Sequence, residues 1–166
     1  MSRTTGRHIL GLVWIIAGIL ELLPGTAGSF LSMVSQMADG QPPPIHHLIL
    51  WGHRIMAPYP FAWNDALAAA ELAIGVALVI GLWPRLTLTA SIALAIPIWI
   101  WGQGFGGFLT GTATDIGAMP LYVLVALLVW PRAERKTTEE RHPSPSNART
   151  SKTGEIARHI HWPAHT

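Results

Sequence analysis

The sequence predicts an all-α protein that crosses a membrane as a four-helix bundle. Half of its 166 residues are hydrophobic and only 12% are charged, a composition too apolar for a soluble domain of this length. Four apolar runs are separated by turn residues, and basic residues collect near one set of run ends. Under the positive-inside rule, this asymmetry places both termini in the cytoplasm.

The apolar runs give predicted helices at residues 8–23, 61–83, 86–101 and 116–130. We interpret them as membrane helices, since a hydrocarbon core of about 30 Å takes about 20 helical residues. The first run is expected to be an uncleaved helix rather than a signal peptide, because Glu21 interrupts its apolar region. Pro24 and Gly25 are expected to end it.

The second helix is predicted to lie at the centre of the bundle. Its apolar run from Ala66 to Trp83 contains one charged residue, Glu71. Small residues that let another helix approach closely in lipid recur at every fourth position: Ala69, Ala73, Ala77 and Gly81. Glu71 lies about 200° around the helix from Ala69, so protein neighbours are expected on both faces.

A long outer connection, residues 26–60, contains two amphipathic pieces separated by prolines 42–44. In the second piece, residues 45–56, apolar side chains follow helical spacing and the histidines fall on the other side. This pattern predicts a helix that lies on the membrane surface.

Three residues predict details of the last two membrane helices. Pro97 should kink the third helix, because proline removes a backbone hydrogen bond. Asp115 is the predicted N-cap of the fourth helix, and Pro120 falls in its first turn.

Charge divides the chain into a membrane domain, residues 1–131, and a tail, residues 132–166. The tail holds seven of the eleven Lys and Arg residues, with several Ser, Thr and Pro, and it is predicted to be disordered and cytoplasmic. These features predict a multi-pass membrane protein whose partner is the lipid bilayer. A folded basic surface for nucleic acid is not expected.

Cysteine and histidine usage limits the chemistry. The chain has no cysteine, which excludes disulfides, thiolate metal sites and dithiol redox relays. His46 and His53 are the weak metal candidates, with methionines in the same outer segment. Their spacing of seven residues gives a rise of about 10.5 Å, too long for two ligands of one ion, so no metal site is predicted.

Glu71 is the candidate proton-handling residue, because an ionisable group inside a membrane helix is costly and usually faces protein or water. The alternative is a structural carboxylic acid bonded to a neighbouring helix. Glu21 and Asp65 are more simply explained as residues at helix ends.

The Gly- and Thr-rich loop between the third and fourth helices is the second candidate site. Trp101, Phe105 and Asp115 could form the wall of a quinone or ligand pocket, because the glycines permit close backbone approach. The alternative is a tight turn flanked by an aromatic belt.

The segment 70–85, AELAIGVALVIGLWPR, resembles the second-helix signature of DoxX-like membrane proteins. The resemblance rests on Glu71, Gly75, Gly81 and Arg85, and the four apolar segments agree with it over residues 7–131. It implies a four-helix bundle of the inner (cytoplasmic) membrane, associated with a quinone-linked redox system. Because the chain lacks cysteine, no redox cofactor of its own is expected, and quinone is the possible cofactor. The long outer segment and the Gly/Thr loop depart from the family pattern.

The resemblance thus implies an accessory, non-catalytic subunit of a membrane oxidoreductase, in a homo- or hetero-oligomer with a redox partner. Two alternatives remain at this point. One is a membrane scaffold or assembly protein, in which Glu71 and the small residues only join helices. The other is a small transporter or metal-handling protein that uses the outer His and Met residues.

Overall fold

The computed structural model describes residues 2–111 and 116–131. The fold of this part is entirely helical, which confirms the all-α prediction. Its α-helices are α1 (Arg3–Glu21), α2 (Pro24–Gln36), α3 (Pro43–Met56), α4 (Pro60–Ile80), α5 (Pro84–Pro97) and α6 (Met119–Leu128). A π-helical turn (Ile98–Gly102) and a short 3-10 segment (Gly104–Thr110) follow α5. The predicted disordered tail, 132–166, lies outside the described residues.

Two helical segments are long and apolar enough to cross a membrane: α4 and the segment Pro84–Gly102, which joins α5 to the π turn. A third results if α1 and α2, which meet at an angle of 91°, count as one broken span. The remaining apolar helix, α6, is shorter. These lengths and compositions indicate a membrane protein.

Glycine and proline set the boundary between α4 and α5. The sequence predicts that the second helix extends to residue 83, but α4 ends at Ile80 because Gly81 adopts a left-handed conformation with φ of 77°. Its backbone N–H bonds to the carbonyl of Ala77, as in common glycine helix ends. Pro84 then begins α5, where the fixed φ of proline suits the first turn.

The first predicted helix also ends differently. α1 ends at Glu21, and the N–H groups of Leu22 and Leu23 bond to carbonyls three residues earlier. Pro24 does not merely stop this helix, because it is the first residue of α2. The two amphipathic pieces of the outer connection are therefore the helices α2 and α3.

Pro97 and Pro120 lie where the sequence predicts an interruption of one helix and the first turn of the next. α-Helical hydrogen bonding ends at Pro97, where an interruption is predicted, and the chain continues as the π turn. α6 begins at Met119 with Ala118 in the N-cap position and Pro120 in its first turn. Asp115, the predicted N-cap, lies outside the described residues.

α1 and α4 form the most extensive helix contact in the described part of the chain. Gly11 lies beside Gly75, and Gly18 lies beside Ala68, so the helices run antiparallel. A methyl group added to Gly11 would lie 2.8 Å from the Gly75 carbonyl oxygen. The two backbones therefore touch directly, as small residues allow in membrane helix pairs.

The predicted small-residue stripe is not the contact face of α4. Ala69 and Ala73 are exposed on the surface of the chain, whereas Ala68 and Gly75 are buried against α1. The sequence predicts protein neighbours on both faces: the Glu71 face packs on α1, and close packing of a helix on the Ala69 face stays a prediction. α1 packs on the Glu71 face because it offers glycines that fit there.

Two apolar cores hold the helices together. The first joins α1, α4, α5 and α6 through buried Leu10, Trp14, Leu78, Leu88, Ala95, Met119 and Ala126. The second joins α2 and α3 through Phe30, Val34, Ala38, Ile49 and Met56. Leu67 of α4 and Trp101 of the π turn pack against the second core.

We predict that Gly75→Ala lowers the free energy of unfolding by about 1–3 kcal/mol, because overpacking forces backbones apart. The added methyl would lie 2.7 Å from the Gly11 carbonyl oxygen and 2.8 Å from the Ile15 nitrogen. Unfolding in detergent, followed by circular dichroism, measures the effect. Gly28→Ala is the control, since its methyl would meet no atom within 4 Å. Equal stability of both variants would contradict the close helix contact.

Candidate functional site

Two polar side chains lie on the buried face of α4. Glu71 is 2% exposed and Asn64 is 0% exposed. They share this face with Ala68, Gly75 and Leu78, at spacings of three and four residues that bring side chains to one side of a helix. The rotation that packs α4 on α1 therefore also carries Glu71 into the protein.

Glu21, the last residue of α1, lies at the same end of the helix pair as Asn64. The Asn64 side chain donates a hydrogen bond from Nδ2 to the Glu21 backbone oxygen, at 2.9 Å. The carboxyl groups of Glu21 and Glu71 interact electrostatically. The antiparallel contact of α1 and α4 thus places two carboxyl groups in one partly buried site.

α5 and α6 complete the site from the other side. Tyr122 of α6 interacts electrostatically with Glu71, and its ring meets the Trp14 ring edge to face, with centroids 4.9 Å apart. Trp14 is fully buried and donates from Nε1 to Ser91 Oγ of α5 at 2.8 Å. We call this set the polar cluster: Trp14, Glu21, Asn64, Glu71, Ser91 and Tyr122.

The polar cluster has an excess of hydrogen-bond acceptors. Three of its buried oxygens lack a hydrogen-bond partner: Glu21 Oε2, Asn64 Oδ1 and Glu71 Oε2. Most buried polar atoms in proteins are paired, because an unpaired one costs about 1–3 kcal/mol. Each of these oxygens can accept a hydrogen bond from a water molecule, and each carboxyl group can accept a proton.

The predicted pocket residues make other contacts. Trp101 donates from Nε1 to the Leu48 carbonyl at 3.2 Å and lies against Gly52 of α3. Phe105 packs its ring against Trp99 at 5.0 Å. Asp115 lies outside the described residues. Trp101 and Phe105 thus take part in packing around the loop, and the pocket that the sequence predicts from them stays a prediction.

Backbone packing explains the glycines of this loop. Gly104, Gly106, Gly107 and Gly111 all have positive φ. A methyl added to Gly106 would overlap the backbone of Ile116, so the glycine permits close approach of two loop segments. Gln41 holds one side through a 2.8 Å bond from Nε2 to the Gly104 carbonyl. The Met119 N–H donates to Gln103 Oε1 at 3.2 Å on the other side.

The resemblance of residues 70–85 also rests on Gly75, Gly81 and Arg85, which have the following surroundings in the structure. Gly75 forms the contact with α1, and Gly81 ends α4 with the Arg7 guanidinium group against it. Arg85 is exposed in the first turn of α5. The motif thus combines one buried polar residue, Glu71, with residues that shape α4 and its turn.

His46 and His53, the two metal candidates of the sequence, have different surroundings in the described structure. His46 Nδ1 lies 3.0 Å from the Ala38 carbonyl oxygen, which occupies that nitrogen. His53 lines an open surface depression with His47, Leu50 and Arg54. Within residues 2–111 and 116–131, no three His, Asp or Glu side chains are grouped so that they could hold a metal ion.

Comparisons with family models, with curated proteins and with solved structures find no match for this chain. The site is therefore interpreted from its own geometry. The sequence pattern singles out Glu71 but not Trp14, Asn64, Ser91 or Tyr122. For Asn64 a signal was available, because it lies seven residues before Glu71 and so falls on the same helix face.

We predict that Ser91→Ala lowers the free energy of unfolding by about 1–3 kcal/mol, because it leaves the buried Trp14 N–H without an acceptor. Trp14→Phe with Ser91→Ala should cost less than the sum of the single changes, since the double variant has no orphaned donor. Chemical unfolding in detergent measures the cycle. Ser32→Ala is the control, because this serine is exposed and bonds only within α2. Strictly additive single changes would contradict the bond.

Proposed function

We propose that this chain is a DoxX-like subunit of a quinone-linked redox system in which Glu71 and Glu21 take up and release protons. One observation carries the proposal: Glu71 is buried on a helix that is long and apolar enough to span a membrane, lacks a partner at Oε2 and interacts electrostatically with a second carboxyl group. Ionisable groups within membrane helices commonly serve proton or ion pathways. The resemblance of residues 70–85 supplies the redox context.

The chain's composition supports an accessory rather than a catalytic role. Without cysteine it has no thiol redox chemistry of its own, so electrons would come from a partner protein or a diffusible quinone. Quinone reduction takes up protons together with electrons. The Glu71 carboxyl group interacts electrostatically with Glu21 and Tyr122, and carboxyl and phenol groups can exchange a proton directly or through one water molecule.

In the proposed topology, α1, α4, α5 and α6 cross the cytoplasmic membrane with both termini inside. Arg3, Arg7 and Arg85 then lie on the cytoplasmic side and Arg54 outside, which agrees with the positive-inside rule. α2 and α3 would lie at the outer surface. α6 spans only about 15 Å at 1.5 Å per residue, so its flanking residues must also enter the membrane.

A membrane scaffold is the second candidate function, and a specific observation favours it. The outward face of α4 carries four exposed alanines at helical spacing: Ala62, Ala66, Ala69 and Ala73. In lipid, such a face suits close packing against a helix of another chain. In this case the carboxyl groups would only stabilise the fold.

We predict that the pH-dependent infrared carboxyl band of the wild-type protein contains a component that exchanges slowly in D2O, because Glu71 is buried, and that this component is lost in Glu71→Gln and altered in Glu21→Gln. The amide keeps the size of the side chain but cannot gain or lose a proton in this range. Asp65→Asn is the matched control, because Asp65 is exposed on the same helix and its carboxyl group contributes only to the rapidly exchanging part of the band. A slow component that survives Glu71→Gln would remove the proton-handling role.

The redox context needs a separate measurement. The protein is purified from its membrane in mild detergent, and co-purifying proteins and extractable quinones are identified by mass spectrometry. Recovery of an oxidoreductase subunit or of stoichiometric quinone is the expected result. A homo-oligomer with neither would favour the scaffold instead.

A further inference from the structure

We propose that a basic depression on α3 binds the phosphate group of an anionic phospholipid headgroup. The depression has a volume of about 500 Å³ and is lined by His47, Leu50, His53 and Arg54. We call it the α3 depression. It lies apart from the polar cluster, and a lipid site there does not depend on the role proposed for Glu71.

The lining of the α3 depression offers hydrogen-bond donors and positive charge without a compensating acid. The Arg54 guanidinium group is always charged, and its fork of N–H groups matches the oxygens of a phosphate. His47 and His53 add imidazole N–H donors, and neither ring makes a hydrogen bond within the part of the chain that the structure describes. No Asp or Glu among the described residues lines the depression or pairs with Arg54. The complementary ligand is therefore an anion.

The Arg54 side chain turns back along α3 toward His47. Its Nε donates to the Leu50 carbonyl oxygen, one helical turn earlier, at 3.4 Å. Seven residues of helix give a rise of about 10.5 Å between His47 and Arg54, and this orientation brings the guanidinium group closer to the ring. The N–H groups of the two terminal nitrogens remain for a ligand. A lipid headgroup, which is several atoms across, can contact groups that are too far apart to share one ion.

α3 also presents an exposed apolar face beside the basic one. Three residues on a further face are buried against the protein: Ile49, Gly52 and Met56. Trp51 and Ile55 are exposed, and Trp51 lies about 60° around the helix from Arg54. A basic face next to an exposed apolar face is typical of a helix that lies in a membrane interface.

The ends of two helical segments long enough to span a membrane place α3 at the membrane surface. α4 begins at Pro60, shortly after α3, and the segment Pro84–Gly102 ends at Gly102. Only a short turn joins these two segments, so as spans they cross in opposite directions and these two ends lie on the same side. Trp101 donates to the Leu48 carbonyl oxygen of α3 at 3.2 Å. α3 is thus connected to both ends.

Aromatic side chains indicate the same depth. Tyr59, Phe61 and Trp63 are exposed where α3 connects to α4. Trp and Tyr are enriched at the headgroup level of membranes. The phosphate groups of phospholipids lie at this level, and basic pockets of membrane proteins bind anionic headgroups there. This position favours a lipid headgroup over free phosphate as the ligand.

The lack of cysteine in the chain permits a local test. Ile55→Cys gives the full chain a single thiol on an exposed residue next to Arg54, and an environment-sensitive fluorophore is attached to it. The purified protein in detergent is titrated with phosphatidylglycerol, with phosphatidylcholine of the same acyl chains, and with inorganic phosphate. We expect a saturable change with phosphatidylglycerol at concentrations about fivefold lower than with phosphatidylcholine, the effect of one basic residue at an anionic surface. Inorganic phosphate should give no saturable change in that range.

Arg54→Gln is the decisive variant, and it should remove the preference for phosphatidylglycerol. Arg54 is exposed, so the change should leave the fold intact, which circular dichroism checks. Arg85→Gln is the matched control, because it removes the same charge from an exposed arginine at the other end of the two segments. It should keep the preference. His47→Gln combined with His53→Gln should weaken the binding of phosphatidylglycerol, since both imidazole rings line the depression.

Three results would overturn the lipid site. Equal responses to the two lipids would show that the acyl chains alone bind. Equal losses in Arg54→Gln and Arg85→Gln would show that net charge, and not the α3 depression, attracts the lipid. A saturable response to inorganic phosphate over the same range would assign the depression to a free anion. Native mass spectrometry of the unlabelled variants should show the same preference, and its absence there would attribute the response to the label.

Discussion

The structure depends on the direct contact of two backbones where Gly11 meets Gly75 and Gly18 meets Ala68. No larger side chain fits between α1 and α4 at these points, so the contact fixes the rotation of α4. Once that rotation is set, Asn64 and Glu71 must face the interior, because they share the helix face of Ala68 and Gly75. The polar cluster is thus a consequence of how the two helices pack.

Local signals in the sequence were sufficient to find the helices. Apolar length and the Pro and Gly positions predicted the four segments that became α1, α4, α5 and α6, and Pro97 marked where α-helical bonding ends. The rotation of α4 was not predictable in the same way, because its surface carries small residues on two neighbouring faces. Only the glycines of α1, more than fifty residues away in sequence, decide which face is buried.

The residues of the candidate site were likewise only partly predictable from local sequence. Glu71 could be predicted because a carboxylate stands out in an apolar helix. Trp14, Ser91 and Tyr122 are ordinary residues for membrane helices, and only their meeting across three helices gives them a role. Trp101 packs against α3, where Gly52 provides the space that its indole ring occupies. Such pairings are long-range and leave no local pattern.

Charge is distributed unevenly along the α1–α4 pair. The charge at one end suits the helix terminus beside it, and the charge at the other end does not. At the C-terminus of α4, the Arg7 guanidinium group lies against Gly81. Its positive charge is favourable there, because a helix C-terminus carries a partial negative charge. At the C-terminus of α1, the Glu21 carboxyl group and the unpaired amide oxygen of Asn64 occupy the equivalent position, and Glu71 is buried further along α4. Neutral side chains would serve stability better at these places, because a buried unpaired acceptor costs free energy. Proteins accept such costs mainly at functional sites, and for this reason the proposed proton handling is assigned to these carboxyl groups rather than to the well-paired contact of Trp14 with Ser91.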